Sequence, residues 1–218
     1  MSSYKLVFLR HGESAGNVEG FIQGQSDFPL TERGVVQVRK LIKRWQVDKT
    51  CFDMIISSPL QRARQTAMMI GDAFNVPVEY DNEWQERDAG KLTGIKISDT
   101  VDNPLFLDFY TPFHSMGETG EGNWELFLRA GKALAKILKR PPGRYLVVSH
   151  GGILNQAVRA LVGIMPQANS QGAKFHLVNA AFATIYYDPE TYKWTVFGLN
   201  DFTHLGIKSS ELEAEEDE

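Results

Sequence analysis

The chain contains one cysteine, Cys51, in 218 residues, which excludes an internal disulfide and any zinc site built from cysteines. No apolar run approaches the ~20 residues that cross a bilayer. The opening MSSYKLVFLR enters a strand-like run without the charged and long apolar regions of a signal peptide, so the expectation is a cytoplasmic enzyme or binding protein. No basic stripe marks a nucleic-acid surface. No HExxH or other metal-ligand spacing occurs, and no internal repeat is visible.

Charge is close to balanced, with 23 Lys and Arg against 27 Asp and Glu. Six of the acids lie in the last eight residues, ELEAEEDE; without them the balance is 23 against 21. The body is thus nearly neutral and the acidity belongs to a tail, expected to be solvated and disordered over 207–218. The length suits one domain, expected over 1–206, with a small cap insertion at about 95–125.

Apolar periodicity predicts a strand at 5–9, then a long Gly-, Ser-, Asn- and Gln-rich loop over 10–29. Thr31 is placed to cap a helix carrying Val35, Val38, Leu41, Ile42 and Trp45. A strand at 53–57, a helix opened by Pro59 and running to about Phe74, and a strand at 76–80 follow. Residues 81–120 read as irregular. A helix is expected over 122–139, with Trp124, Phe127, Leu128, Leu134 and Leu138 on one face. A strand at 145–149, a helix at 153–162 and a hairpin of 181–187 with 194–199 complete the chain. This order predicts a three-layer α/β/α sandwich around a mostly parallel sheet. In such sheets ligands bind beyond the carboxyl ends of the strands.

The residues at those ends are unusual. The first strand is followed by Arg10-His11-Gly12, the second by SSPLQRARQTA with Arg62 and Arg64, the third by NEWQERDAGKLTG, and the fourth by His150-Gly151-Gly152. Two guanidinium groups recognise an oxyanion in a planar, bidentate way, and a phosphoryl group is the natural guest. Gly12 lets backbone amides approach it. His11 beside such charges loses basicity, and a neutral imidazole is a competent nucleophile toward phosphorus. A nearby carboxyl group can protonate the leaving group, and His150 adds a donor to the phosphoryl oxygens.

LRHGES, SSPLQRARQTA, the Glu86 segment and VVSHGG together resemble, in order, the signatures of the histidine phosphatase superfamily, over roughly residues 4–205. The resemblance implies a phosphoglycerate mutase-like fold, His11 as the residue that becomes phosphohistidine and Glu86 as the proton donor. It also implies that Arg10, Arg62 and His150 complete the phosphate pocket. Asn17 matches the asparagine of the RHGESxxN form, Glu86 heads the ExxxGxxxG-like ERDAGKLTG, and Gly24 and Gln25 are expected to add contacts from the loop. NDFTHL resembles the closing segment of phosphatase members. No cofactor is required by this chemistry.

The expected reaction is hydrolysis of a small phosphorylated metabolite. A 2,3-bisphosphoglycerate-dependent phosphoglycerate mutase is the alternative, and a catalytically inactive phosphate-binding regulator is a third. A mutase must hold a bisphosphate with additional cations, yet residues 95–125 carry Lys96 as their only Lys or Arg, against six acids. Glu86-Arg87 and nearby Lys91 point toward the mutases, whose tyrosine after that pair is replaced by Asp88-Ala89. The neutral body and late hairpin are compatible with a homodimer, though no motif demands one.

Overall fold

A computed structural model of the protein describes residues 3–100, 113–167 and 172–207. All but Ile207 of the expected tail (207–218), and residues 101–112 of the expected cap, lie outside the described residues.

Strand β1 (Tyr4–Arg10) is covered on both sides, which is why its sequence is a continuous apolar run rather than an alternation. It lies in a six-stranded sheet of order β3-β2-β4-β1-β5-β6. Strands β1, β2 (Met54–Ser57), β3 (Val78–Tyr80) and β4 (Arg144–Ser149) pair in parallel. The late hairpin β5 (Phe182–Asp188) and β6 (Lys193–Asp201) is antiparallel, and β5 also runs antiparallel to β1. The sheet is therefore mostly parallel, as the order of elements predicts.

Each face carries its own core. Val7, Leu9, Ile55, Leu146 and Val148 meet α2 (Glu32–Val47) and α3 (Gln61–Phe74) through Val38, Leu41, Trp45, Ala63, Ala67 and Ile70. Leu6, Phe8, Ile56, Val147 and Ile185 meet α4 (Asn123–Leu138) and α5 (Gly151–Val162) on the other side. Side chains alternate between the two cores along every central strand. Thr31 caps α2 by accepting from the Gly34 amide at 2.9 Å.

Three local expectations change. The loop at 10–29 contains a one-turn helix, α1 (Ala15–Val18), started by Ser14, whose amide and hydroxyl both donate to Asn17 Oδ1. Helix α3 begins two residues after Pro59, because Leu60 keeps an extended backbone as its N-cap. The face of α4 is rotated: Leu126, Ala130, Ala133, Leu134 and Ile137 turn inward, while Leu128 is exposed. The alanines let α4 approach the sheet and α5 closely. The bulky Trp124 and Phe127 instead pack on each other, with ring centroids 5.7 Å apart.

Register then aligns the strand ends. Arg10 lies opposite Ser149, Ser57 opposite Val148, and Ser57 opposite Tyr80. The ladder runs one residue further through His11 N to Ser149 O and Ser58 N to Val148 O, each at 3.0 Å. His11, Ser58, Asp81 and His150 therefore leave the sheet at one edge.

Candidate active site

The imidazole of His11 is 2 % exposed, and its Nδ1 lies 2.7 Å from the Gly12 carbonyl. A carbonyl only accepts, so Nδ1 carries the proton and Nε2 keeps a free lone pair. Burial, then the charges of Arg62 and Arg10, hold this imidazole well below the usual histidine range, with the Gly12 bond opposing. His11 is thus neutral and nucleophilic at Nε2.

Gly12 is required by packing. A Cβ there would stand 2.7 Å from the Gly34 carbonyl oxygen of α2. Its amide donates to Thr66 Oγ1 at 3.2 Å, and that hydroxyl donates to the Arg62 carbonyl at 2.9 Å. The carbonyl orienting His11 is thereby tied to the helix that carries Arg62.

Arg62 is buried in the first turn of α3 and donates to the Gly24 and Ser26 carbonyls at 2.9 and 2.8 Å. Burial lowers its pKa to about 10, with Glu86 opposing, so it remains a cation at neutral pH. Arg10 donates to the Leu177 carbonyl at 2.7 Å. Asn17 Oδ1 accepts from Ser14 and from Asn179 Nδ2, which leaves its amide nitrogen as the edge to offer an anion. Asn179 also donates to the His11 carbonyl at 3.2 Å.

His150 is fully buried against His11, with ring centroids 5.0 Å apart at 60°. Its Nε2 lies 2.8 Å from Ser58 Oγ. Burial first, then Arg62, His11 and Arg10, hold it well below the usual histidine range.

Glu86, on the segment that follows β3, sits against the first amides of α5. Its Oε2 accepts from the Gly152 amide at 3.0 Å, and its Oε1 from the Ile153 and Arg87 amides at 3.2 and 2.8 Å. Gly152 is a glycine because a Cβ would run into this carboxylate. The segment before Glu86 is anchored by fully buried Trp84, whose carbonyl accepts from Ser149 Oγ at 2.6 Å. Arg129, from mid-α4, then donates to the carbonyls of Glu83, Gln85 and Glu86 at 2.8–3.1 Å and pairs with Glu121.

A cavity of about 360 Å³ joins these groups except His150, which lies against His11 outside the cavity's lining. Arg10, His11, Asn17, Gly24, Arg62, Glu86 and Gly152 line its polar part, and Phe21, Ile22, Ala89, Ile97 and Met116 its apolar part. Arg87 also lines it and donates to Asn123 Oδ1 at 2.7 Å. Gln25 is placed differently from its expected phosphate contact: its amide donates to the Glu86 carbonyl at 3.1 Å.

Glu83 pairs with Lys132 and Lys136, Arg64 is exposed, and Glu13 pairs with Arg33 at 3.2 Å. Lys91 pairs with Glu118 on the surface. Ser58, Thr66, Arg129 and Asn179 were not singled out from sequence. Ser58 and Thr66 had a local signal, both lying in SSPLQRARQTA, with Thr66 four residues after Arg62 and so on the same helix face. Among the described residues no group of three His, Cys, Asp or Glu could hold a metal ion, and no helix is long and apolar enough to cross a membrane.

Comparison with known proteins places these features in a wider set. Residues 6–201 match the model of the histidine phosphatase superfamily (branch 1). The chain is 33 % identical over 209 residues to the probable phosphoglycerate mutase GpmB of Enterobacter sp., covering 92 % of this chain and 94 % of that one. It is 31 % identical over 207 residues to a metal-independent phosphoserine phosphatase of Arabidopsis thaliana, covering 92 % and 83 %. A mutant phosphoserine phosphatase of Entamoeba histolytica in complex with phosphoserine superposes with a TM-score of 0.79 at 25 % identity, covering 93 % of this chain and 99 % of that one.

Proposed function

The chain belongs to branch 1 of the histidine phosphatase superfamily, and from that premise we propose that it hydrolyses phosphomonoesters of small metabolites through a phosphohistidine formed on His11. The carrying observation is the tautomer of His11: Nδ1–H is committed to Gly12, so Nε2 presents its lone pair beside Arg10 and Arg62.

The arginines hold the phosphoryl oxygens, with Asn17 adding its amide. Nε2 attacks phosphorus, the bond to the leaving oxygen breaks, and the Glu86 carboxyl gives that oxygen its proton. The Gly152, Ile153 and Arg87 amides stabilise the carboxylate so formed. That carboxylate then takes a proton from water as water attacks the phosphohistidine. Phosphate leaves, and His11 and Glu86 return to their starting states.

The apolar lining from Phe21, Ile22, Ile97 and Met116 supports a leaving group with apolar surface, and Ile97 and Met116 support the reading of a cap at about 95–125. The reading includes a cytoplasmic setting, in keeping with the exposed free thiol of Cys51. Edge strand β6, with Phe197 at 71 % exposure, offers a surface for the homodimer considered above.

Resemblance to a probable phosphoglycerate mutase gives the mutase reading its support. Against it, Lys91 is committed to Glu118 and does not line the cavity. The regulatory reading lacks the loss of nucleophile or acid that would motivate it.

Incubation with labelled phosphomonoester should give an acid-labile, base-stable phosphoenzyme in the native chain and none in His11→Ala. Label persisting in that variant would mean another nucleophile. Phosphate transfer that depends on 2,3-bisphosphoglycerate would establish the mutase instead.

A further inference from the structure

Two neutral histidines stand side by side in this site, and one of them must attack while the other donates. Their ring nitrogens are chemically alike, so a neighbour has to decide which carries the proton in each ring. For His11 that neighbour is the Gly12 carbonyl. For His150 it is Ser58, the second serine of SSPLQRARQTA, which is fully buried and has its Oγ 2.8 Å from His150 Nε2.

A hydroxyl has one hydrogen to give. Ser58 Oγ already accepts from the Leu60 amide at 3.2 Å, and the acceptor within its reach is His150 Nε2. If Nε2 carried the proton and donated to Ser58, the buried Ser58 hydrogen would have no acceptor among the described hydrogen bonds. Nδ1 of His150 would then be a bare lone pair, unable to donate to a bound anion. With the opposite tautomer Ser58 donates, Nε2 accepts, and Nδ1 carries the proton. Nδ1 is buried and makes no hydrogen bond among the described residues, so this N–H is kept for a guest.

We propose that Ser58 is the positioning residue that fixes His150 as an Nδ1–H donor to the phosphoryl group taken up by His11. The two rings thereby serve opposite purposes, set by one carbonyl and one hydroxyl at the ends of β1 and β2, the strands that flank β4. The role in phosphoryl transfer rests on the function proposed above; the tautomer does not.

Histidine ring nitrogens in ¹⁵N-labelled protein report tautomers directly. In the native chain at neutral pH, His150 should show a protonated Nδ1 and an unprotonated Nε2. In Ser58→Ala the two forms should mix, and inorganic phosphate should bind on the order of 10-fold more weakly, as expected for losing a well-placed donor to an anion. A double-mutant cycle separates this from a packing effect. In a His150→Ala background, Ser58→Ala should change phosphate affinity less than twofold; an additive loss would show that Ser58 does not act through His150. A protonated Nε2 in the native chain, or an unchanged tautomer in Ser58→Ala, overturns the proposal. If the tautomer and phosphate results hold while no phosphoenzyme forms, the hydrolase reading fails and the Ser58 assignment stands.

Discussion

Glu86 and the glycine that faces it make separable predictions at the scale of single residues. Glu86→Gln removes the proton while keeping the shape. It should slow alkyl phosphates roughly 10²–10³-fold and nitrophenyl phosphate far less, because a good leaving group departs without help. Equal slowing of both in steady-state assays would remove Glu86 from the proton-donor role. Gly152→Ala should resemble that variant with a melting temperature near native, since the atom in its way is the end of a side chain that can move. Gly12→Ala meets the Gly34 carbonyl, which is backbone, and should cost about 1–3 kcal/mol in chemical denaturation. The sequence shows why a glycine belongs beside a phosphate; the pressure of α2 on Gly12 is visible only in three dimensions.

At the scale of elements, the acid is held by a helix far from it in sequence. Arg129 lies 43 positions after Glu86 and gathers three carbonyls of the segment that presents it. Arg129→Met should therefore leave binding of inorganic phosphate near native while lowering kcat for alkyl phosphates at least 10-fold, a loss of the size expected when an acid is misplaced. Steady-state kinetics beside phosphate titration checks this, and weakened phosphate binding with unchanged kcat would contradict it. The strands, α2 and the hairpin were legible because their periods are short-range properties. The inward face of α4 was not: large apolar residues drew attention to Trp124 and Leu128, while the core selected the small Ala130 and Ala133 that permit close approach.

For the whole molecule, buried His11 and His150 link folding to pH, and half-buried His204, lowered to about 4 by burial and then Arg44, acts in the same direction. The unfolded chain binds protons at His11 and His150 near the ordinary pKa of 6.5, and the folded chain refuses them until well below it. Stability contributed by the neutral rings is full above pH 6.5 and is lost as pH falls toward the folded values. The slope is up to about 1.4 kcal/mol per pH unit for each ring. Denaturation midpoints should therefore drop between pH 7 and pH 5, and His150→Gln should make that drop shallower. The same slope in both proteins would show that His150 is not held neutral. The carboxylates held low by their partners, such as Asp201 beside Arg44, act at lower pH and do not enter this window. By itself the sequence determined the alternation of elements and the layering, and it picked out Arg10, His11, Arg62, Glu86 and His150 as candidates for phosphoryl chemistry, because strand and helix periods and reactive residue types are local facts. Tertiary structure alone decided the register that brings the strand ends level, the hydroxyl that meets His150 and the cradle of Glu86. Those depend on strand pairing and on a hydroxyl and an arginine, Ser58 and Arg129, arriving from elements distant in the chain, which no local pattern records.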